Sequence, residues 1–121
     1  FNAEEPAYFY SMEIHGPGQI WWFKGGISND PERRRGQIAN GLKNAGMALD
    51  VRLGRTIRFK HGRDARALET KLMNIKQIRA TTIEKFDGNR ELFSVNPVIY
   101  AIENDIVDDH KTQQMVIEDF L

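Results

Sequence analysis

A His15-Gly16-Pro17-Gly18 turn separates two strand-forming runs, and this arrangement limits the fold more tightly than any other stretch of the chain. Before it, Ala7 to Ile14 alternates weakly and carries Tyr8, Phe9 and Tyr10. After it, Gln19 to Ser28 is aromatic and β-branched, as strands are. Glycine and proline together punctuate the chain as a turn. The two runs should therefore pair as a hairpin. Gly25 and Gly26 close the second run, and two glycines in a strand predict a bulge or a close approach by another backbone or a ligand.

The remaining elements follow from local signals. Asn29 or Asp30 can cap a helix, and Pro31 suits its first position, so a helix should run to about Lys43 with Ile38 and Leu42 inward. Leu49 to Phe59 alternates as a third strand. Leu49, Val51 and Leu53 form its inner face, Gly54 marks a twist or bulge, and Ile57 and Phe59 continue that face. Arg58 and Lys60 then point outward. After the His61-Gly62 turn, Asp64 can cap a helix reaching about Arg79, with Ala65, Leu68, Leu72, Ile75 and Ile78 spaced by three and four. Asp87-Gly88-Asn89 is a turn, and Glu91 to Val95 a short strand. Asn96-Pro97 opens a helix striped with Ile99, Ile102 and Ile106, and Thr112 to Leu121 should form a final short helix.

The resulting order is β-β-α-β-α-β-α. It describes an α+β domain, a small and mostly antiparallel sheet flanked by helices, with a C-terminal helical tail. At 121 residues this is one domain overall. Residues 1–95 form its body, and residues 96–121 an acidic helical extension packed on it. The absence of cysteine excludes disulfides and thiolate metal sites. No apolar run is long enough to span a membrane, and no signal peptide is visible, so a cytoplasmic location is expected. The first residue is Phe1, which is consistent with a segment of a longer protein.

Formal net charge is zero, but the charges are segregated. Lys24 to Arg90 holds sixteen bases against seven acids, a net of +9. From Glu91 onward one base faces seven acids, a net of −6. A basic body with an acidic tail suits a polyanion-binding face and a separate region.

Five short motifs in this order resemble the GIY-YIG nuclease superfamily, and most closely its divergent phage-type subgroup, whose second motif reads Lys-Ile-Gly-Ile-Ser/Thr. Tyr8-Phe9-Tyr10 stands in the first motif and Lys24-Gly25-Gly26-Ile27-Ser28 in the second. Asp30-Pro31-Glu32-Arg33-Arg34-Arg35 matches the Asp-Pro-x-x-Arg helix start. Ala67-Leu68-Glu69-Thr70-Lys71-Leu72 matches the helix with a single acidic ligand. Gly88-Asn89-Arg90-Glu91-Leu92-Phe93 resembles the closing Gly-Glu-x-Phe, with two residues inserted. The resemblance covers about Ala7 to Phe93. It departs from the family in having Lys24 for the second motif's tyrosine and Gly25 for its isoleucine. The family's late asparagine has no clear match, since Asn96 is better read as the N-cap before Pro97.

The resemblance implies a metal-dependent endonuclease acting on nucleic acid, expected to be DNA, in a homing, restriction or phage setting. Glu69 would hold Mg²⁺ or Mn²⁺, a hard cation that binds through one or two carboxylates plus waters and phosphate oxygens. Tyr10 would be the general base, with Tyr8 on the same strand face as a substitute. A free tyrosine is a poor base at neutral pH, so the role asks for nearby cations, and Lys24 and Arg34 are the local ones. Arg34 would grip the attacked phosphate through two parallel hydrogen bonds. Arg33 and Arg35 point about 100° to either side on a helix, so they would flank the phosphate backbone or simply face solvent.

Other residues invite binding roles. Arg55, Arg58, Lys60, His61 and Arg63 form the densest basic run and could track a phosphate backbone. His61 is a secondary candidate for proton chemistry because histidine titrates nearest neutrality, although a lone turn histidine is more often simple surface, as His15 is. Trp21 and Trp22 take opposite faces, one packing in the core, the other at an interface or on a base. A nucleic-acid-binding module on the same fold that no longer cuts is the alternative. A protein-interaction role for the acidic tail is a third reading. A further DNA-binding domain, a partner protein or a homodimer would be needed for sequence specificity.

Overall fold

The computed structural model describes residues 2–82, 89–107 and the strand Met115–Glu118. Strands β1 (Ala7–Gly16) and β2 (Gln19–Ser28) form the expected hairpin, with Gly18 at φ 74° in its turn. Helix α1 is Pro31–Asn44, β3 is Asp50–Phe59, and α2 is Gly62–Met73. A 3₁₀ turn at Lys76–Ile78 leads to β4 (Leu92–Phe93), then α3 (Pro97–Glu103) and β5 (Met115–Glu118). All pairings in the sheet are antiparallel, and its order is β4-β2-β1-β3-β5. The α+β architecture is thus the expected one, with one strand more than expected.

Local chemistry explains the first half. The Asp30 carboxylate accepts from the Arg33 N–H at 3.1 Å, and Pro31 opens α1 where no hydrogen bond is lost. Gly46, at φ 78°, follows the last turn and lets the chain reverse toward β3.

The sheet divides the interior in two. Ala7, Phe9, Ile57, Phe59 and Phe93 pack with Ala65, Leu68 and Leu72 of α2 and Val98 and Ala101 of α3. Tyr10, Met12, Ile14, Val51, Leu53 and Leu92 pack with Ile38 and Leu42 of α1. Val51 and Leu53 therefore face opposite to Ile57 and Phe59, not with them as the alternation suggested. The reason is an irregularity in the pairing: Tyr10 faces Thr56 but Met12 faces Leu53, so Gly54 and Arg55 together oppose Ser11. The extra residue inverts which side chains of β3 reach which face. Gly54 lies at this irregularity, as expected, and the register of pairing inverts the faces beyond it.

Three later elements differ from expectation. Helix α2 stops at Met73 instead of continuing to Arg79, because Arg79 is extended and bridges Phe93. It starts at Gly62 after His61, with no side-chain cap, so Asp64 is not its cap. In α3 the deeply buried residues are Val98 and Ala101, while Ile99 and Ile102 are half-buried, and Ile106, also half-buried, lies past the end of the helix. Helix start at Pro97 rotates positions 98 and 101 onto the sheet.

The tail is the clearest correction. Met115–Glu118 is a strand, with Ile117 opposite Ile57 and Met115 opposite Phe59, and not part of a helix. A run rich in Met, Val and Ile suits a strand beside β3, and this pairing across more than fifty residues leaves no mark in local periodicity. The rest of the expected tail helix lies outside the described residues, as do Asp87 and Gly88 of the expected turn. Helix α3 packs in the core and β5 pairs in the sheet. No helix among the described residues is long and apolar enough to cross a membrane.

Candidate functional site

Tyr10 and Lys24 lie on the α1 face of the hairpin, held there by pairing of Tyr10 with Gly26 and Met12 with Lys24. Gly26 is required by the ring: a β-carbon there would stand 2.4 Å from the phenolic oxygen. Gly25 serves the opposite face, where a β-carbon would meet Phe93 at 2.8 Å and Pro97 at 3.0 Å. The glycine pair is therefore a close-approach device for side chains on both faces. It is not a bulge, since the pairing of β1 with β2 is regular there.

Lys24 is fully buried, and its ammonium lies 5.5 Å from the centre of the Tyr10 ring. That is within range of a cation–π attraction. A buried ammonium is costly unless paired. Lys24 Nζ donates to Glu91 Oε2 at 2.5 Å and to the Gly25 carbonyl at 3.3 Å. Glu91, which precedes β4, is anchored in turn: its carbonyl accepts from the Gly25 N–H at 3.1 Å.

Glu69 stands on α2, which packs on the sheet face opposite Tyr10. Burial pushes its carboxyl above the usual carboxylate range, and the Glu91 carboxylate adds to the effect. Lys24 and Arg66 act in the other direction. Glu69 thus feels both members of the Lys24–Glu91 pair. Glu69, a partly desolvated carboxylate, could supply one ligand to a hard divalent cation, with waters and substrate oxygens completing the shell. Among the described residues no group of three or more acidic or histidine side chains gathers to form a fuller cage.

Arg34 is half-buried on α1, one turn before Ile38, and its Nη1 donates to Gln37 at 3.2 Å. With Arg33, Ser28, Asn29, Asp30 and Gln37 it lines an open cleft of about 380 Å³. Tyr8 pairs across the sheet with Ser28 at the border of this cleft and is half-buried, whereas Tyr10 is 1 % exposed. Arg33 is exposed. Arg35 is committed elsewhere, 2.6 Å from the Glu32 carboxylate and donating to the Val51 carbonyl at 3.4 Å.

The basic run is spread along β3 and into α2, separated from β2 and Lys24 by strand β1. Arg58 and Lys60 are exposed, and Arg63 lies 3.6 Å from the Glu4 carboxylate. His61 Nδ1 is 3.4 Å from the Glu4 carbonyl. Arg55 sits in the irregular stretch of β3, and its Nε is buried without a hydrogen-bond partner. Trp21 is 45 % exposed and meets Trp22 edge-on, while Trp22 packs beside the α1-side core.

The structure brings Tyr10 and Lys24 together on the α1 face, places Glu69 on α2 within electrostatic reach of Lys24 and Glu91, leaves Arg34 at the cleft beside Ser28, and keeps the basic run apart. It adds Glu91, which the sequence presented only as a letter of a closing motif. No family model matches the chain, and neither a curated protein nor a solved structure matches it.

Proposed function

We propose that this chain is a divalent-metal-dependent endonuclease that hydrolyses nucleic acid phosphodiester bonds, with DNA as its substrate. The observation that supports the reading is the buried Lys24, set against the Tyr10 ring and bonded to Glu91, with Glu69 of α2 sensing both charges of that pair. A fully buried lysine between an aromatic ring and a carboxylate is costly to keep for packing alone. The motif resemblance independently suggests phosphodiesterase roles for Tyr10, Lys24 and Glu69.

In this reading Glu69 holds Mg²⁺ or Mn²⁺. The cation supplies charge neutralisation on the phosphate and on the departing oxygen. Tyr10, acting as the phenolate, would take the proton of the attacking water, with the Lys24 ammonium beside its ring. Arg34, at the cleft, binds the phosphate, and exposed Arg33, Arg58, Lys60 and Arg63 follow the backbone beyond it. Arg35 contributes through Glu32 and β3 and not through the substrate.

One observation favours a second reading. Tyr10 is 1 % exposed and Lys24 fully buried, which is how a site looks when it has kept its scaffold and lost access for water. The chain would then bind nucleic acid without cutting it. Incubation with labelled duplex and single-stranded DNA and with RNA, in Mg²⁺, Mn²⁺ or chelator, separates the two. Cutting that depends on metal supports the nuclease; retention without cutting under any metal supports the binding module.

A further inference from the structure

We propose that Glu91 is a positioning residue of this site, locking the Lys24 ammonium against Tyr10. The inference rests on the nuclease reading above and assigns a role to a residue that no motif role covers. Lysine carries its charge on a flexible four-carbon stem, so a lysine that must act from one place needs something to hold it there. Lys24 has two oxygen contacts among the described residues, Glu91 Oε2 at 2.5 Å and its own neighbour's carbonyl, Gly25 O, at 3.3 Å. The first is short and has a charged acceptor, the second is long and has a neutral one, so Glu91 sets the position.

Glu91 is suited to the task because its backbone is fixed on both sides. Its carbonyl accepts from Gly25 N–H at 3.1 Å. The next residue, Leu92, pairs with Lys24 across the sheet, and its carbonyl accepts from Ala80 N–H at 3.0 Å. The Arg79 guanidinium donates to the preceding carbonyl, Arg90 O. The Glu91 side chain is 34 % exposed while that of Lys24 is fully buried, so the pair runs from the surface into the interior beside Tyr10. Glu91 touches the ammonium and not the ring, so its influence on Tyr10 passes through Lys24.

The experiment compares the native chain with Glu91→Gln and Glu91→Asp. Cleavage of a labelled DNA in Mn²⁺ is measured over a range of substrate concentrations, and the Lys24 side-chain ¹⁵N and Tyr10 ring resonances are recorded without substrate. In Glu91→Gln, kcat should fall tenfold or more with KM within threefold. The Lys24 ammonium signal should broaden through faster exchange, and the Tyr10 ring signals should move. Glu91→Asp should restore part of kcat. A pair that serves only stability would leave the kcat-to-KM balance and the Tyr10 signals as they are. Native-like kcat in Glu91→Gln, or unmoved Tyr10 and Lys24 signals, overturns the proposal. A native chain that fails to cut in any metal overturns the nuclease reading itself, and that result is seen before any variant is made.

Discussion

Asn96 donates its side-chain N–H to the Ser11 hydroxyl at 3.1 Å, joining the start of α3 to the middle of β1. The same side chain caps α3, its Oδ1 accepting from Val98 N–H at 3.0 Å and Ile99 N–H at 3.1 Å. Ser11 in turn donates to the Arg55 carbonyl at 2.7 Å, in the stretch where β3 carries its extra residue. Gly54 makes room, since a β-carbon there would stand 2.8 Å from the Ser11 oxygen. One buried asparagine thus ties a helix cap to the irregularity that sorts β3 between the two faces.

Asn96→Ala removes the cap and one partner of a buried hydroxyl. The expected cost is about 2 kcal/mol. For a chain of this length that is a fall in Tm of about 8 °C. Asn96→Ser keeps a capping acceptor for α3 and loses the donor to Ser11, so it should cost less than Asn96→Ala. Calorimetry of the two variants checks the order.

The glycines divide by surroundings. Gly26→Ala drives a β-carbon into the Tyr10 hydroxyl, so it should destabilise the fold by about 1–3 kcal/mol and displace the ring. Gly36 lies inside α1 with nothing within 4 Å of an added β-carbon. Gly36→Ala should therefore stabilise by about 0.5–1 kcal/mol. Urea unfolding of both variants is the measurement, and opposite signs are the expected result.

Glu69 predicts a pH dependence. Its carboxyl is held above the usual range, first by burial and then by Glu91. The folded state therefore binds this proton more tightly than the unfolded chain, whose glutamates titrate near about 4.3. The stability it contributes is present below that value and is lost as pH rises through the folded-state value. Glu69→Gln should accordingly be more stable than the native chain at pH 7, and the gap should close toward pH 4. Because the side chain is half-buried, solvent screening keeps the gap small. Melting curves of the two proteins across this range test the sign.

Arg34 and Arg35 are neighbours with different prospects. Arg34 faces the cleft, while Arg35 is bound to Glu32 and to the Val51 carbonyl. Arg34→Ala should lower the cleavage rate by roughly a hundredfold, the scale of losing a charge-stabilising donor. Arg35→Ala should leave the rate within about threefold and lower thermal stability instead. Single-turnover kinetics and melting curves of the pair separate the roles.

The sequence made some of this legible and hid the rest for physical reasons. The hairpin, α1 and β3 are written in local signals: a Gly-Pro-Gly turn, Asp30 before Pro31, and alternation around Val51. Strand β5 and the inverted face at Ile57 and Phe59 are set by pairing between distant segments, which periodicity does not carry. Tyr10, Lys24 and Glu69 could be named from motif order, but Glu91 could not be given a role. Its partner Lys24 lies 67 residues away, and only the folded sheet places the two together. Arg33 and Arg35 read alike in the sequence, as flanks of Arg34, and the contacts of Arg35 with Glu32 and Val51 set it apart from Arg33.

The most direct test of the central claim compares the native chain with Glu69→Gln on supercoiled plasmid and on single-stranded DNA, each in Mg²⁺, Mn²⁺ or chelator. Cutting by the native chain that requires metal, together with loss of cutting but retained DNA binding in Glu69→Gln, is the result predicted here. Equal cutting by both proteins, or none by the native chain in either metal, would contradict it.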